Sequence, residues 1–452
     1  MFRDVPVIDA AARKIENPTS FLDALDADLR ARVRLVAAAE GHLVWEIDDA
    51  DARGGRRAWR FPAAALSPYA ERPTTLGAMF PRARLGDMDR VGVDVQILHP
   101  TLATVFSRLR DAELAAALCR AYNEAIADEC AAAPTRLVPV GVVPAQDVAA
   151  ATAELRYCAV DLAMPAIAVP AGVPRPHPAA GDAFPEVAVR EGLAAAQFRP
   201  LWETAEFLGV AVVVHPWAAA AGDAVDVLVD EVVDQPGQAQ RTLAELVVHG
   251  VLERHPQLRF GVVDAGCGWL PNFVFELCDR WQRRDLLDAP PVFSSRRFAV
   301  EYLRERGRRG WLGRRRGLRE LRSMVSGAVA PTLAAAEGVP AERNPEEYFA
   351  RGQVFVTCGS DDPGAAHLRD AFGPVGERLA CWSTGYGRWH ASDDGALEKA
   401  SSNPQLGLDY VTRLVSTNAI RLYGERLRRR LAPGYPAASN LRARPAEAAA
   451  SK

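Results

Sequence analysis

The chain has 452 residues, 49% hydrophobic and 25% charged, with 54 Lys and Arg against 57 Asp and Glu. That length allows a large core, either one barrel with insertions or two domains, and a net charge of −3 removes the bulk electrostatic case for nucleic acid or an anionic lipid surface. No run is apolar enough for long enough to span a bilayer, and the opening Met1-Phe2-Arg3-Asp4-Val5-Pro6 lacks the apolar stretch of a secretory signal, so a cytoplasmic location is expected. The seven cysteines are odd in number and form no CxxC pair, which argues against a disulfide frame or a zinc knuckle.

Short β-branched runs alternate with longer amphipathic stretches along the chain. The pattern predicts strands over residues 5–9, 93–99, 137–143, 166–169, 210–215, 258–264, 354–357 and 378–383, with helices such as 111–132, 147–158 and 199–207 between them. Eight such units predict an α/β fold, a closed (β/α)8 TIM-like barrel whose chemistry sits at the C-terminal ends of the strands. Two insertions interrupt it. Residues 42–84, rich in aromatic, Gly and Pro residues, are expected as a lid over the mouth; residues 286–345 carry Arg runs around 304–309 and 314–316 interleaved with Trp311, Leu312, Leu318, Leu321 and Met324. The second is far longer than an ordinary βα connection and predicts a solvated helical face or a subunit contact. One domain over 1–430 is expected, followed by an Ala-, Pro- and Arg-rich disordered tail over 431–452.

The run Gly209-Val210-Ala211-Val212-Val213-Val214-His215-Pro216 reads as a buried strand that delivers His215 to the mouth. Two readings stand for His215: a general base or substrate donor, or a histidine satisfied by backbone. Asp264, closing the sixth strand, is either an orienter or base, or an ion-pair partner for an arginine. His99, ending the second strand, contacts substrate or simply caps the strand. Cys267 and the His177 loop are weaker candidates.

Several segments, taken in order, carry a resemblance: Val91-Gly92-Val93-Asp94-Val95-Gln96-Ile97-Leu98, Tyr122-Asn123-Glu124, Arg136-Leu137-Val138-Pro139-Val140-Gly141-Val142-Val143-Pro144, Pro200-Leu201-Trp202-Glu203, Gly250-Val251-Leu252-Glu253-Arg254-His255-Pro256 and Gly266-Cys267-Gly268-Trp269-Leu270-Pro271. With them the chain resembles, over residues 5–425, the amidohydrolase superfamily, in the metal-dependent branch of aminocarboxymuconate semialdehyde and resorcylate decarboxylases. That resemblance implies metal ligands at the end of the first strand, where this chain has Ala11 and Arg13. It implies an Asp and a His after the last strand, where this chain has Gly385 and Arg388 in Trp382-Ser383-Thr384-Gly385-Tyr386-Gly387-Arg388-Trp389-His390. Alanine offers no lone pair and a guanidinium repels a divalent cation, so no catalytic metal and no other cofactor is expected.

Three functions follow. The first is a metal-free, small-molecule enzyme acting on an anionic aromatic or polyketide-like substrate by decarboxylation, cyclisation or isomerisation. In it His215 and Asp264 serve as base and orienter, Arg13 and Arg388 clamp the anion or sit in structural ion pairs, and Tyr386, His390 and His99 line the pocket. The second is a silent subunit supporting an active paralogue. The third is a metal-dependent hydrolase with atypical ligands from His99, His177 and His390. Homo- or hetero-oligomerisation with a subunit of the same fold, through 286–345, is expected; nucleic-acid and membrane partners are not.

Overall fold

The computed structural model describes residues 1–16, 22–37 except 24, 43–50, 56–62, 76–176, 188–216, 227–283, 304, 342–387, 391 and 395–432. Eight parallel strands form one sheet: β1 (Ile8–Arg13), β2 (Val95–His99), β3 (Leu137–Val142), β4 (Ala166–Pro170), β5 (Ala211–His215), β6 (Phe260–Val262), β7 (Val354–Cys358) and β8 (Ala380–Trp382), paired in chain order. Nearly every residue of these strands is buried, as a sheet covered on both faces requires, which explains their continuous apolar runs. The sheet is a (β/α)8 barrel. Its seam between β8 and β1 is bridged by the Ser383 hydroxyl donating to the Ala11 carbonyl at 3.2 Å and by the Arg13 amide donating to the Tyr386 carbonyl at 2.8 Å.

Helices follow the strands: α1 (Pro81–Val91), α2 (Ala112–Cys130), α3 (Val148–Val160), α4 (Arg199–Leu208), α5 (Gln235–Val248), α6 (Leu270–Gln282), α7 (Gly364–Phe372) and α8 (Asn418–Leu431). Asp111 and Asp147 cap α2 and α3 by accepting from the Leu114 amide and from the Ala149 and Ala150 amides, so the amphipathic runs begin where an Asp satisfies the orphan donors of the first turn. Gly209, at φ 64°, ends α4 and lets the chain turn directly into β5.

The first strand departs from expectation. It starts at Ile8 and runs through Ala10, Ala11 and Ala12 to Arg13. Alanine carries little β preference, so nothing local marked the strand there; burial of those alanines to 1% exposure or less decides it. Its register against β2 slips between Asp9 and Ala12, a bulge of one extra residue.

The expected insertion 42–84 contributes two antiparallel strands, Leu43–Ala50 and Arg56–Pro62, which pair with Val33–Ala37 in a three-stranded sheet. The Asp49 carboxylate accepts the Arg110 and Asp111 amides, and Arg32 pairs with Asp111, so this sheet is tied to the N-terminus of α2, on the mouth face of the barrel. The expected insertion 286–345 and the tail lie almost wholly outside the described residues. No described helix is long and apolar enough to cross a membrane.

Candidate active site

At the C-terminal ends of the strands, Arg13, His99, His215 and Asp264 meet in one buried chain of contacts. Arg13 ion-pairs with Asp264, donates to the Pro100 carbonyl, and stands 3.3 Å from His215 Nδ1. His215 Nε2 lies 3.0 Å from His99 Nδ1, and His99 Nε2 lies 3.0 Å from the Ala10 carbonyl and 3.1 Å from the Tyr423 hydroxyl, which itself donates to Ala10 at 2.8 Å. The direction of this chain is fixed at its end. A guanidinium only donates, so His215 Nδ1 accepts, its proton sits on Nε2 and is donated to His99 Nδ1, and His99 carries its own proton on Nε2 toward Ala10.

The bulge in β1 supplies the far end of that relay by turning the Ala10 carbonyl to Tyr423 and His99. The Ala11 amide left by the same irregularity is received by the Asp9 carboxylate at 3.2 Å, and Asp9 also accepts from the Thr384 hydroxyl. Burial raises the Asp9 pKa against these hydrogen bonds. Burial likewise depresses His99 to about 4, with Asp264 opposing the shift and Arg13 adding to it, so the relay is built from a neutral imidazole.

Asp264 holds a φ of 63°, uncommon for a residue other than glycine, and its amide donates to the Thr357 hydroxyl at 3.1 Å. It forms one wall of a polar cavity of about 290 Å3 over the ends of β6, β7 and β8, with Thr357, Ser360, Asp362, Ser383 and Thr384. Asp362 accepts from the Cys267 amide at 3.1 Å and the Gly364 amide at 2.8 Å, and Asp361 pairs with Lys399 at 3.1 Å.

The sequence brought His215, Asp264, Arg13 and His99 to the mouth, and the structure joins all four. It corrects how they stand. Arg13 is held by an ion pair with Asp264 rather than opening as an anion clamp. His215 and His99 are 1% and 0% exposed and lie behind Arg13, so neither forms the open wall of this cavity. Tyr386 is 3% exposed, with its hydroxyl on Asp87 and its ring under the Arg84 guanidinium at 4.7 Å; it is packing, not rim. Next to it Gly387, at φ 87°, brings the backbone so close to Arg13 that a Cβ at that position would come within 3.0 Å of it. Cys267 is buried, its thiol pushed well up by a hydrogen bond with Cys358 and by burial, which disfavours the thiolate a nucleophile needs. Arg388, His390 and His177 lie outside the described residues. Thr357, Ser360 and Tyr423 escaped the sequence reading; the run Gly359-Ser360-Asp361-Asp362 directly after β7 was the available signal.

The residues described here do not fit a divalent metal. No group of three or more His, Cys, Asp or Glu side chains is placed to hold an ion among the described residues; His215 and Asp264 both face the Arg13 guanidinium, and Ala11 and Gly385 bring no donor side chain.

The chain is 26% identical over 187 residues to the 2-amino-3-carboxymuconate-6-semialdehyde decarboxylase of Dictyostelium discoideum, covering 41% of this chain and 48% of that protein. It is 27% identical over 249 residues to the gamma-resorcylate decarboxylase of Rhodococcus jostii, covering 49% and 66%. It thus spans half to two thirds of the length of these curated relatives. Among solved structures, the manganese-bound 5-carboxyvanillate decarboxylase of Novosphingobium aromaticivorans shares the fold at a TM-score of 0.57 and 16% identity, over 93% of this chain and 96% of that one. The amidohydrolase family model matches residues 39–424, and the chain belongs to that family.

Proposed function

We propose that this chain is a small-molecule enzyme of decarboxylase type, acting on an anionic hydroxyaromatic acid, in which the Arg13 guanidinium takes the electrostatic place of a metal. The observation that carries this reading is the cavity over Asp264, the carboxylate that ion-pairs with Arg13 at the head of the Arg13–His215–His99 chain. A subunit kept only as scaffold has no need of an open polar cavity at the strand ends, where barrels keep their chemistry.

In the proposed reaction the carboxylate leaves as carbon dioxide, the electron pair of the broken carbon–carbon bond stays on the ring, and a proton is delivered to that carbon. Arg13, fixed by Asp264, His215 and the Pro100 carbonyl, offsets from behind Asp264 the negative charge that develops on the ring oxygen, and Asp264 in the cavity wall takes a proton from solvent and passes it to the ring carbon. His215 then orients the guanidinium rather than touching substrate. The decarboxylase names of relatives on the same scaffold support the substrate class.

The test is release of carbon dioxide from 2,6-dihydroxybenzoate and 5-carboxyvanillate by the purified chain, with and without a chelator. Turnover that survives chelation and is lost in Arg13→Gln is expected. Turnover abolished by the chelator and restored by manganese removes the guanidinium from the mechanism; none with any aromatic acid favours a silent subunit.

A further inference from the structure

Four hydroxyl groups line the cavity over Asp264, and their hydrogen-bond accounts differ. Ser383 donates to the Ala11 carbonyl at 3.2 Å and accepts from the Gly385 amide at 3.2 Å. Thr384 donates to Asp9 and accepts from the Tyr386 amide at 3.0 Å. Both are fully engaged in the seam.

Thr357 and Ser360 are different. Thr357 Oγ1 accepts the Asp264 amide at 3.1 Å, and Ser360 Oγ accepts the Trp382 indole N–H at 2.9 Å. Each thereby accepts one hydrogen bond from the protein, and its hydroxyl proton meets no acceptor among the described residues. Thr357 is 4% exposed and Ser360 6%, so neither hydroxyl is simply dissolved in solvent. A buried hydroxyl with an undonated proton is costly, and the opening available to both is the cavity that both line.

The carboxylates of the same wall have partners already: Asp264 has Arg13, Asp361 has Lys399, and Asp362 has the Cys267 and Gly364 amides. Thr357 and Ser360 are the groups of this wall that add donation to it.

We propose that Thr357 and Ser360 form a pair of donors that binds an acceptor-only oxygen group of the ligand, a carboxylate or a carbonyl, and so sets the specificity of this cavity. A phenol oxygen accepts only with its own proton turned away from the two donors; a carboxylate or ketone oxygen brings only lone pairs and accepts from both without that constraint. This rests on the cavity being the ligand site of the proposed enzyme, and supplies its recognition element.

Titration calorimetry with three probes on one ring tests it: 2,6-dihydroxybenzoate, 2,6-dihydroxyacetophenone and 1,3-dihydroxybenzene. Thr357→Val and Ser360→Ala are each expected to weaken the carboxylate or the ketone probe about tenfold, the loss of one hydrogen bond to a buried acceptor, and to leave 1,3-dihydroxybenzene unchanged. Thr357→Ser, which keeps the hydroxyl, retains wild-type affinity. Ser360→Ala also removes the acceptor of Trp382, so its thermal midpoint is compared with wild type, and Thr357→Val against Thr357→Ser carries the test if Ser360→Ala does not fold. Wild-type affinity in Thr357→Val, or failure of the carboxylate and ketone probes to bind more tightly than 1,3-dihydroxybenzene, overturns the proposal. Shifted affinities without carbon dioxide release sink the decarboxylase reading and leave the donor pair; turnover with unshifted affinities does the reverse.

Discussion

His99 is the residue whose chemistry the fold changes most. Burial holds its imidazole neutral with a pKa near 4, below the ordinary 6.5. A histidine depressed in this way contributes stability that is complete above 6.5 and is lost as pH falls from there through about 4, because the unfolded chain takes up the proton first. The shift corresponds to about 3 kcal/mol across that window. Burial moves Asp9 and Glu16 the other way, raising both, so their protonation on acidification favours the folded state and partly masks the effect. The clean measurement is therefore a difference: urea unfolding of wild type and His99→Asn between pH 7 and 4, with the wild-type advantage shrinking by about that amount on acidification. Parallel curves would show that His99 is not held neutral. None of this was legible locally, since a His before a Pro at a strand end looks the same whether it faces solvent or another imidazole.

Among the elements, the antiparallel sheet on the mouth face is fastened to the start of α2 by a buried carboxylate as well as by the Arg32–Asp111 pair. Asp49 is fully buried and accepts the Arg110 and Asp111 amides at 3.0 Å, so Asp49→Ala leaves two backbone donors without that partner at the start of α2. A cost of about 2 kcal/mol is expected, with faster limited proteolysis within residues 33–62 and an unchanged far-UV spectrum of the barrel. Cleavage at the wild-type rate would mean that the sheet is held by other contacts. The strands themselves divide by composition. β5 was expected at 210–215 and is Ala211–His215, because valines in an unbroken run leave little choice; β1 was displaced toward its C-terminus because Ala10, Ala11 and Ala12 make up its middle, which only the surrounding core makes into a strand. β6 and β8 are shorter than their apolar runs, Asp264 having left the extended region and Arg378 lying in a short 3-10 turn.

For the whole molecule, α8 is part of the barrel's support. Asn418 donates to the carbonyl of Ala380 in β8 at 2.7 Å, Tyr423 reaches Ala10 in β1, and Leu422, Tyr423 and Leu427 are at most 1% exposed. A chain ending at residue 417 is expected to lose cooperative unfolding and to bind a hydrophobic dye, since removing buried Leu and Tyr side chains costs roughly 2–5 kcal/mol at each site. A sharp thermal transition in that truncated chain would show the eight strands to be self-sufficient. Periodicity by itself determined the eight βα units and the mouth position of His215 and Asp264, because a strand buried on both faces must be continuously apolar and a parallel sheet puts every strand end on one side. The family's motif positions drew attention to Arg13. Tertiary structure alone decided that Arg13 meets Asp264 and His215, that His215 meets His99, and that Thr357 and Ser360 accept from the Asp264 amide and the Trp382 indole beside the cavity. Those partners lie as far apart as 251 residues in sequence, and a donor finds its acceptor only after the sheet has curled until β8 stands beside β1.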